Sequence, residues 1–157
     1  MNASPRIALV TGATRGIGLE TVRQLAQAGV HTLLAGRDRE RATVAARELQ
    51  AQGLPVEAVV LDVTDEASIA AAAAEVEARH GRLDILVNNA GVVLDDVARG
   101  VSGQPQSTWR DTFDTNVFGL VAVTQAFLPL LHRSRAGRIV NVSSALGSLT
   151  LHSDPAS

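Results

Sequence analysis

Short apolar runs, each closed by glycine or a polar turn residue, alternate along this chain with longer stretches whose apolar residues recur three and four positions apart. The runs predict strands buried on both faces, and the longer stretches predict amphipathic helices. Ile7 to Val10 is the first predicted strand. From Gly18 the period changes, because Val22, Leu25, Ala26 and Gly29 fall on one helical face. His31 to Ala35 predicts a second strand, and Arg39 to Gln52 a helix with Ala42, Ala45, Ala46 and Leu49 on its buried side. Asp38 is its expected N-cap and Gly53 its stop. Val56 to Leu61 follows as a third strand, after which Thr64 is expected to cap a helix whose stripe is Ile69, Ala72, Ala73 and Val76 and whose end is Gly81. Leu83 to Val87 and Arg138 to Val142 predict the fourth and fifth strands. Between them, residues 92–107 lose all period and predict a loop of a length usually tied to function, here flanking a substrate pocket. Thr108 to Arg133 predicts the longest helix. Thr108 and Asp111 suit a capping-box-like start, and Val117, Leu120, Val121, Thr124, Phe127, Leu128 and Leu131 supply the apolar face. Pro129 should loosen its last turn. Residues 145–157 read as loop.

Strand and helix in alternation, with right-handed crossovers, predict a doubly wound parallel sheet of about five strands, a three-layer α/β/α Rossmann-type domain over residues 1–157. Such sheets bind ligands beyond the carboxyl ends of their strands. There the first crossover carries Thr11-Gly12-Ala13-Thr14-Arg15-Gly16-Ile17-Gly18. A helix N-terminus offers unpaired N–H groups and about half a positive charge, which suits a phosphate or pyrophosphate. Gly12 permits a tight turn, and Gly16 and Gly18 remove Cβ atoms where ligand and packed strand come close. The same glycines also fit a ligand-free strand-to-helix turn, against which the strand before and helix after weigh in favour of a nucleotide. A P-loop is excluded, because all 14 basic residues are Arg and no Lys exists to reach a terminal phosphate.

The end of the second strand selects between dinucleotides: an acidic residue there accepts from a ribose 2′-OH, whereas arginine accommodates a 2′-phosphate. Arg37 occupies that end with Arg15 in the glycine loop nearby, and two guanidiniums around one anion favour NADP over NAD. The competing assignment has Arg37 solvated and Asp38 on the 2′-OH. Asp62, at the end of the third strand, either accepts from the amine of adenine or binds its own backbone as a turn residue, and position alone leaves the two even. Asn88-Asn89-Ala90-Gly91 suits a place where backbone lies against a flat ligand while amides tie strands together, or else an ordinary turn. Asn116, inside the long helix, is out of place on propensity, and the plain alternative is a core amide satisfied locally.

Composition narrows the remaining classes. A chain of 157 residues, 46% hydrophobic with mean hydropathy +0.14, can bury a core. Its net charge of −2 gives no electrostatic footprint for nucleic acid. With no cysteine, disulfides and thiolate metal sites are impossible, and no metal site is expected. Met1 to Pro5 lacks the pattern of a signal peptide, and no apolar run approaches membrane-spanning length, so a cytoplasmic protein with no membrane partner is expected.

Taken together, the glycine loop, Asp62-Val63, Asn88-Asn89-Ala90-Gly91, Asn116 within Phe113-Asp114-Thr115-Asn116-Val117-Phe118-Gly119, and Asn141-Val142-Ser143-Ser144 resemble the short-chain dehydrogenase/reductase family, in its order and over nearly the whole chain. The resemblance implies NADP-dependent transfer of hydride to a carbonyl or from an alcohol of small-molecule size. It implies that Gly12, Thr14, Arg15, Gly16, Ile17 and Gly18 hold pyrophosphate and neighbouring ribose, Asp62 and Val63 the adenine, Asn89, Ala90 and Gly91 the ribose side, and Arg37 the 2′-phosphate. Ser144 would hydrogen-bond the substrate oxygen and Asn116 would hold a relay water. The family's proton comes from a Tyr-x-x-x-Lys pair, and this sequence has neither tyrosine nor lysine. His152 reads as a solvated loop histidine and not as a replacement acid. The chain therefore reads as the N-terminal, cofactor-binding portion of a reductase, inactive by itself, with part of the long helix and the edge of the fifth strand uncovered. The alternative is a non-catalytic NADP-binding or interaction module. Family members commonly form dimers or tetramers through the long helix and its missing neighbour, so the resemblance allows a homo-oligomer without fixing the oligomeric state.

Overall fold

In the computed structural model, which describes residues 5–148, Thr150 and Ser153, five parallel strands lie in the order β3-β2-β1-β4-β5. They are β1 (Ile7–Val10), β2 (His31–Gly36), β3 (Val56–Val60), β4 (Ile85–Asn88) and β5 (Arg138–Asn141). The helices are α1 (Gly16–Gln27), α2 (Arg39–Gln50), α3 (Glu66–His80), α4 (Gln106–Phe113) and α5 (Leu120–His132). The expectations for His152 and for most of residues 145–157 lie outside the described residues; a 3₁₀ turn, Ala145–Gly147, follows β5.

Alternation along the strands sorts the core into two layers. Leu9 sits opposite Leu33 and Leu86, and these three pack with Ile69, Ala72 and Val76 of α3 and Val123, Phe127, Leu130 and Leu131 of α5. One residue on, Val10 sits opposite Leu34 and Val87, and these face Val22 and Ala26 of α1 and Ala42, Ala45, Ala46 and Leu49 of α2. Both faces of β1 are thus buried, as the unbroken apolar run requires.

Most boundaries follow the sequence reading within a residue or two, and the departures have identifiable causes. The α1 helix opens at Gly16, two residues early, because the Arg15 carbonyl already accepts the first i→i−4 bond from the Leu19 N–H; Gly16 itself holds a left-handed φ of 57° at the junction. Thr64 does not cap α3. Asp65 does, its carboxylate accepting from the N–H groups of Ala67 and Ser68, while Thr64 is drawn onto Asp62, to which its N–H and hydroxyl both donate. Thr108 is not a cap either: it lies inside α4, which starts after Pro105 without a side-chain cap. The long helix is not one regular helix, since Asp114–Gly119 forms a π segment between α4 and α5. Its expected apolar face is only partly buried. Val123 and Leu130 join Phe127 and Leu131 in the core, while Val117 and Val121 stay 42% and 45% exposed. Pro129 stays inside α5, whose end closes with i→i−3 bonds, Arg133 to Leu130 and Ser134 to Leu131, that tighten the last turn.

Gln106–His132 is a helical stretch of 27 residues whose most apolar 18-residue window has a mean hydropathy of 1.3, enough to cross a membrane by length and composition alone, a test that the core helix of a globular protein also passes. Core-facing residues of α5 account for part of that hydropathy. The outer edge is apolar as well: Phe113, Phe118, Ile139, Val140 and Val142 are exposed, as anticipated for an uncovered fifth strand.

One buried charge ties the sheet's amino end together. Asp84 Oδ2 accepts from the N–H of Ile7 at 2.8 Å and from Arg82 Nε at 3.2 Å, and its other oxygen accepts from the Ser134 hydroxyl. Burial pushes this carboxyl upward, but the bonds from Ser134, Ile7 and Arg82 outweigh it and hold the pKa below the ordinary 3.8. The folded state therefore gains stability from Asp84 above the unfolded pKa and loses it as pH falls through the folded one. Asp84→Asn is expected to destabilise by about 1–3 kcal/mol at neutral pH. In urea melts the gap from wild type should close below about pH 4; a gap independent of pH would refute the ionised assignment.

Candidate functional site

A cleft of about 410 Å³ lies at the carboxyl ends of β1 to β4, where strand order reverses between β1 and β4. Four crossovers line it, each contributing the segment that follows its strand.

The loop after β1 contributes Gly12, Thr14, Arg15, Gly16, Ile17 and Gly18. The α1 helix starts there with Arg15 at its N-cap, no side-chain cap and no acidic residue in the first turn. Its N-terminal N–H groups and dipole are left for an anion. Ile17 is 70% exposed at the same place. The glycines differ in what they do. A Cβ on Gly16 would meet nothing within 4 Å, so its requirement is conformational. A Cβ on Gly18 would come within 2.5 Å of the Asn89 amide and 2.8 Å of the Gly12 carbonyl. Gly12 has a φ of 62°, and its Cβ would lie 2.8 Å from Ala90 Cα.

The segment after β4 locks this loop in place. Thr11 Oγ1 accepts from the N–H groups of Asn89 and Ala90, each at 3.0 Å, while Asn89 Nδ2 donates to the carbonyls of Thr11 and Gly12. Asn88 ties β4 to the outer strand β5 and to α5, donating to Asn141 Oδ1 at 2.9 Å and to the Thr124 hydroxyl at 3.0 Å. The two amides thus do the strand-tying expected of them, and Asn89, Ala90 and Gly91 line the cleft.

Arg37 and Arg15 both reach the cleft, and among the described residues neither guanidinium has an ion-pair partner. Asp38, also at the cleft, is occupied as the cap of α2, its Oδ1 accepting from the N–H of Arg41 at 3.0 Å. Arg41 is a third guanidinium there, 3.7 Å from Asp38, and sequence reasoning misses it because it falls inside a helix. Asp62 and Val63 line the opposite side. Asp62 Oδ1 accepts from both the N–H and the hydroxyl of Thr64, the local turn bond, so one carboxylate oxygen is engaged by its own loop.

The two residues singled out for chemistry stand outside the cleft lining. Asn116 lies in the π segment and pairs both ways with one backbone residue: Oδ1 accepts from the Val92 N–H and Nδ2 donates to the Val92 carbonyl, each at 2.8 Å. This pairing fixes the start of the loop after Gly91. Its neighbour Thr115 is the one that lines the cleft, a residue that nothing in the sequence singles out. Ser144 lies three residues beyond the end of β5, exposed, with its carbonyl accepting from the Gly147 N–H.

With the geometry in hand, comparison with known proteins gives a consistent answer. The profile described as short chain dehydrogenase matches residues 6–155. A short-chain dehydrogenase/reductase of Aspergillus fumigatus is 40% identical over 155 residues, covering 95% of this chain and 58% of the relative. Among solved structures, a gluconate 5-dehydrogenase from Burkholderia cenocepacia in complex with NADP and tartrate superposes with a TM-score of 0.80 at 36% identity, covering 88% of this chain and 53% of that one. An actinorhodin polyketide ketoreductase variant with NADPH superposes at 0.82 and 34% identity, covering 89% and 53%. The chain spans a little over half the length of the curated relatives it matches.

Proposed function

Because the chain belongs to the short-chain dehydrogenase/reductase family of oxidoreductases, we propose that its cleft binds NADP(H) for hydride exchange with a small carbonyl or alcohol substrate. The observation that carries this is the meeting, on one cleft, of an uncapped helix N-terminus with two guanidiniums that have no ion-pair partner among the described residues. An anion placed there gains charge-assisted hydrogen bonds without breaking any ion pair. Gly12, Thr14, Arg15, Gly16, Ile17 and Gly18 would hold the pyrophosphate and its ribose, and Arg37 the 2′-phosphate. Asp62 and Val63 would take the adenine, Asp62 through the carboxylate oxygen that Thr64 does not engage. Asn89, Ala90 and Gly91 would back the ribose. The relatives solved with NADP and NADPH support the choice of cofactor.

When bound, the nicotinamide supplies the hydride. For this chain's own residues the proposal gives Ser144 the substrate oxygen and Asn116 a positioning role: with its amide locked to Val92, its spare hydrogen-bonding capacity can still hold one water. Neither side chain is a proton donor of useful strength at neutral pH. Since the sequence has no tyrosine and no lysine, the 157-residue chain is proposed to bind cofactor without turning it over.

Isothermal titration with NADPH and with NADH tests the binding reading. Saturable NADPH binding, at least about tenfold tighter than NADH, is expected from one extra charge-assisted contact. No saturable binding of either would sink it. Carbonyl-dependent NADPH consumption above background would overturn the proposed inactivity.

A further inference from the structure

At the end of the sheet away from the cleft, three side chains from three elements converge: His31 at the first position of β2, Glu57 near the start of β3 and His80 at the last position of α3. Their candidate donor atoms all lie within 4.8 Å of one another, with His31 Nε2 2.9 Å and His80 Nε2 3.5 Å from the Glu57 carboxylate. The side chains are 24%, 24% and 13% exposed. His31 Nε2, His80 Nε2 and Glu57 Oε2 are buried atoms, and none finds a hydrogen bond of good geometry among the described residues. Buried polar atoms are normally satisfied, and three facing one point call for a shared partner.

We propose that His31, Glu57 and His80 form a binding site for a divalent first-row transition ion of the Zn²⁺ class. Two imidazoles and one carboxylate are the donors such an ion takes, with room for a water as fourth ligand, whereas Mg²⁺ and Ca²⁺ prefer all-oxygen sets. Ligands at about 2.0–2.2 Å from a tetrahedral ion stand about 3.3 Å apart, so the widest pair must draw in by about 1.5 Å, within reach of side-chain rotation. The ion would clip the edge strand β3 to β2 and to the end of α3. Nothing in the linear sequence signals this site, because its ligands are far apart along the chain. One group opposes it: the Arg79 guanidinium pairs with Glu57 Oε2, and it has a second partner in Glu75. A bound ion must displace Arg79 onto Glu75, which makes Arg79 a diagnostic position.

The test is titration of the full chain, stripped by chelator, with ZnCl₂ alone. One Zn²⁺ per chain is expected, with a melting temperature that rises with Zn²⁺. Loss of a ligand in His31→Gln or His80→Gln should weaken binding beyond the roughly 10–100-fold that loss of an outer-shell partner typically produces. His132→Gln, an exposed histidine elsewhere, should change nothing. Arg79→Gln removes the competing cation and should tighten binding several-fold, which also decides the matter if the histidine variants fail to fold. Absence of saturable binding, equal loss in His132→Gln, or unchanged or weaker binding in Arg79→Gln would each overturn the proposal.

Discussion

Arg15→Ala combined with Arg37→Ala is expected to weaken NADPH binding by about a hundredfold or more while NADH binding falls by only about tenfold. A hydrogen bond to a charged group contributes about 1.5–3 kcal/mol, and tenfold in affinity is about 1.4 kcal/mol, so even two contacts at the low end reach about a hundredfold. The low end is appropriate, because both side chains are exposed and water screens them. The asymmetry between cofactors is the decisive part. On the proposed binding mode Arg37 would meet only the 2′-phosphate, whereas Arg15, at the N-cap of α1, would also meet the pyrophosphate common to both dinucleotides. Arg37→Ala alone should therefore erase most of the NADPH preference and leave NADH nearly untouched. Raising salt should narrow the wild-type preference in the same direction. An equal drop for both cofactors in the Arg37→Ala variant would show that Asp38 or Arg41, not Arg37, reads this end of the cleft.

Arg15 and Arg37 are legible in the sequence because of where they sit. Strand ends in a doubly wound sheet are fixed by short apolar runs, and here Ile7 to Val10 and His31 to Gly36 are buried almost without exception. Once these strands are placed, the first residues after each one are at the cleft by topology alone, so Arg37, Asp62 and Asn89 need no side-chain information. The N-cap of α2 is legible for a similar local reason, because Asp38 directly precedes a helical period.

What stays hidden depends on groups distant in sequence or on competition within a turn. Thr64 and Asp65 are both good caps, and the choice turns on Asp62, which draws the Thr64 N–H and hydroxyl into its own bond and leaves Asp65 to the helix. The π segment is announced only by Asn116, whose low helical propensity marks the break but does not name Val92 as its partner. An exposed face on Val117 and Val121 cannot be told from a buried one by periodicity, since apolar spacing is the same whether or not something covers it. Arg41 and Thr115 line the cleft from helical positions, where topology gives no privileged residue.

Gly18→Val is expected to lower stability by about 3 kcal/mol, the upper part of the usual overpacking range, and to abolish measurable NADPH binding. In thermal melts of a chain this size that is a fall of about 6–12 °C. The side chain has no way out. Its Cβ alone would press to 2.5 Å from Asn89 Nδ2 and 2.8 Å from the Gly12 carbonyl, and the second is backbone held by the same amide. Relief must come from moving Asn89, which would give up both of its bonds to Thr11 and Gly12 and release the loop whose N–H groups are proposed to face the phosphates. Gly16→Ala makes the contrast. It meets no neighbour within 4 Å and carries only the penalty of a left-handed residue at φ 57°, about 1–2 kcal/mol. Gly18→Val should thus be the more damaging substitution even though Gly16 is the more exposed and nearer the open cleft. The reverse order in melts and titrations would mean that ligand approach, not the clamp between the first and fourth strands, sets the need for glycine at position 18.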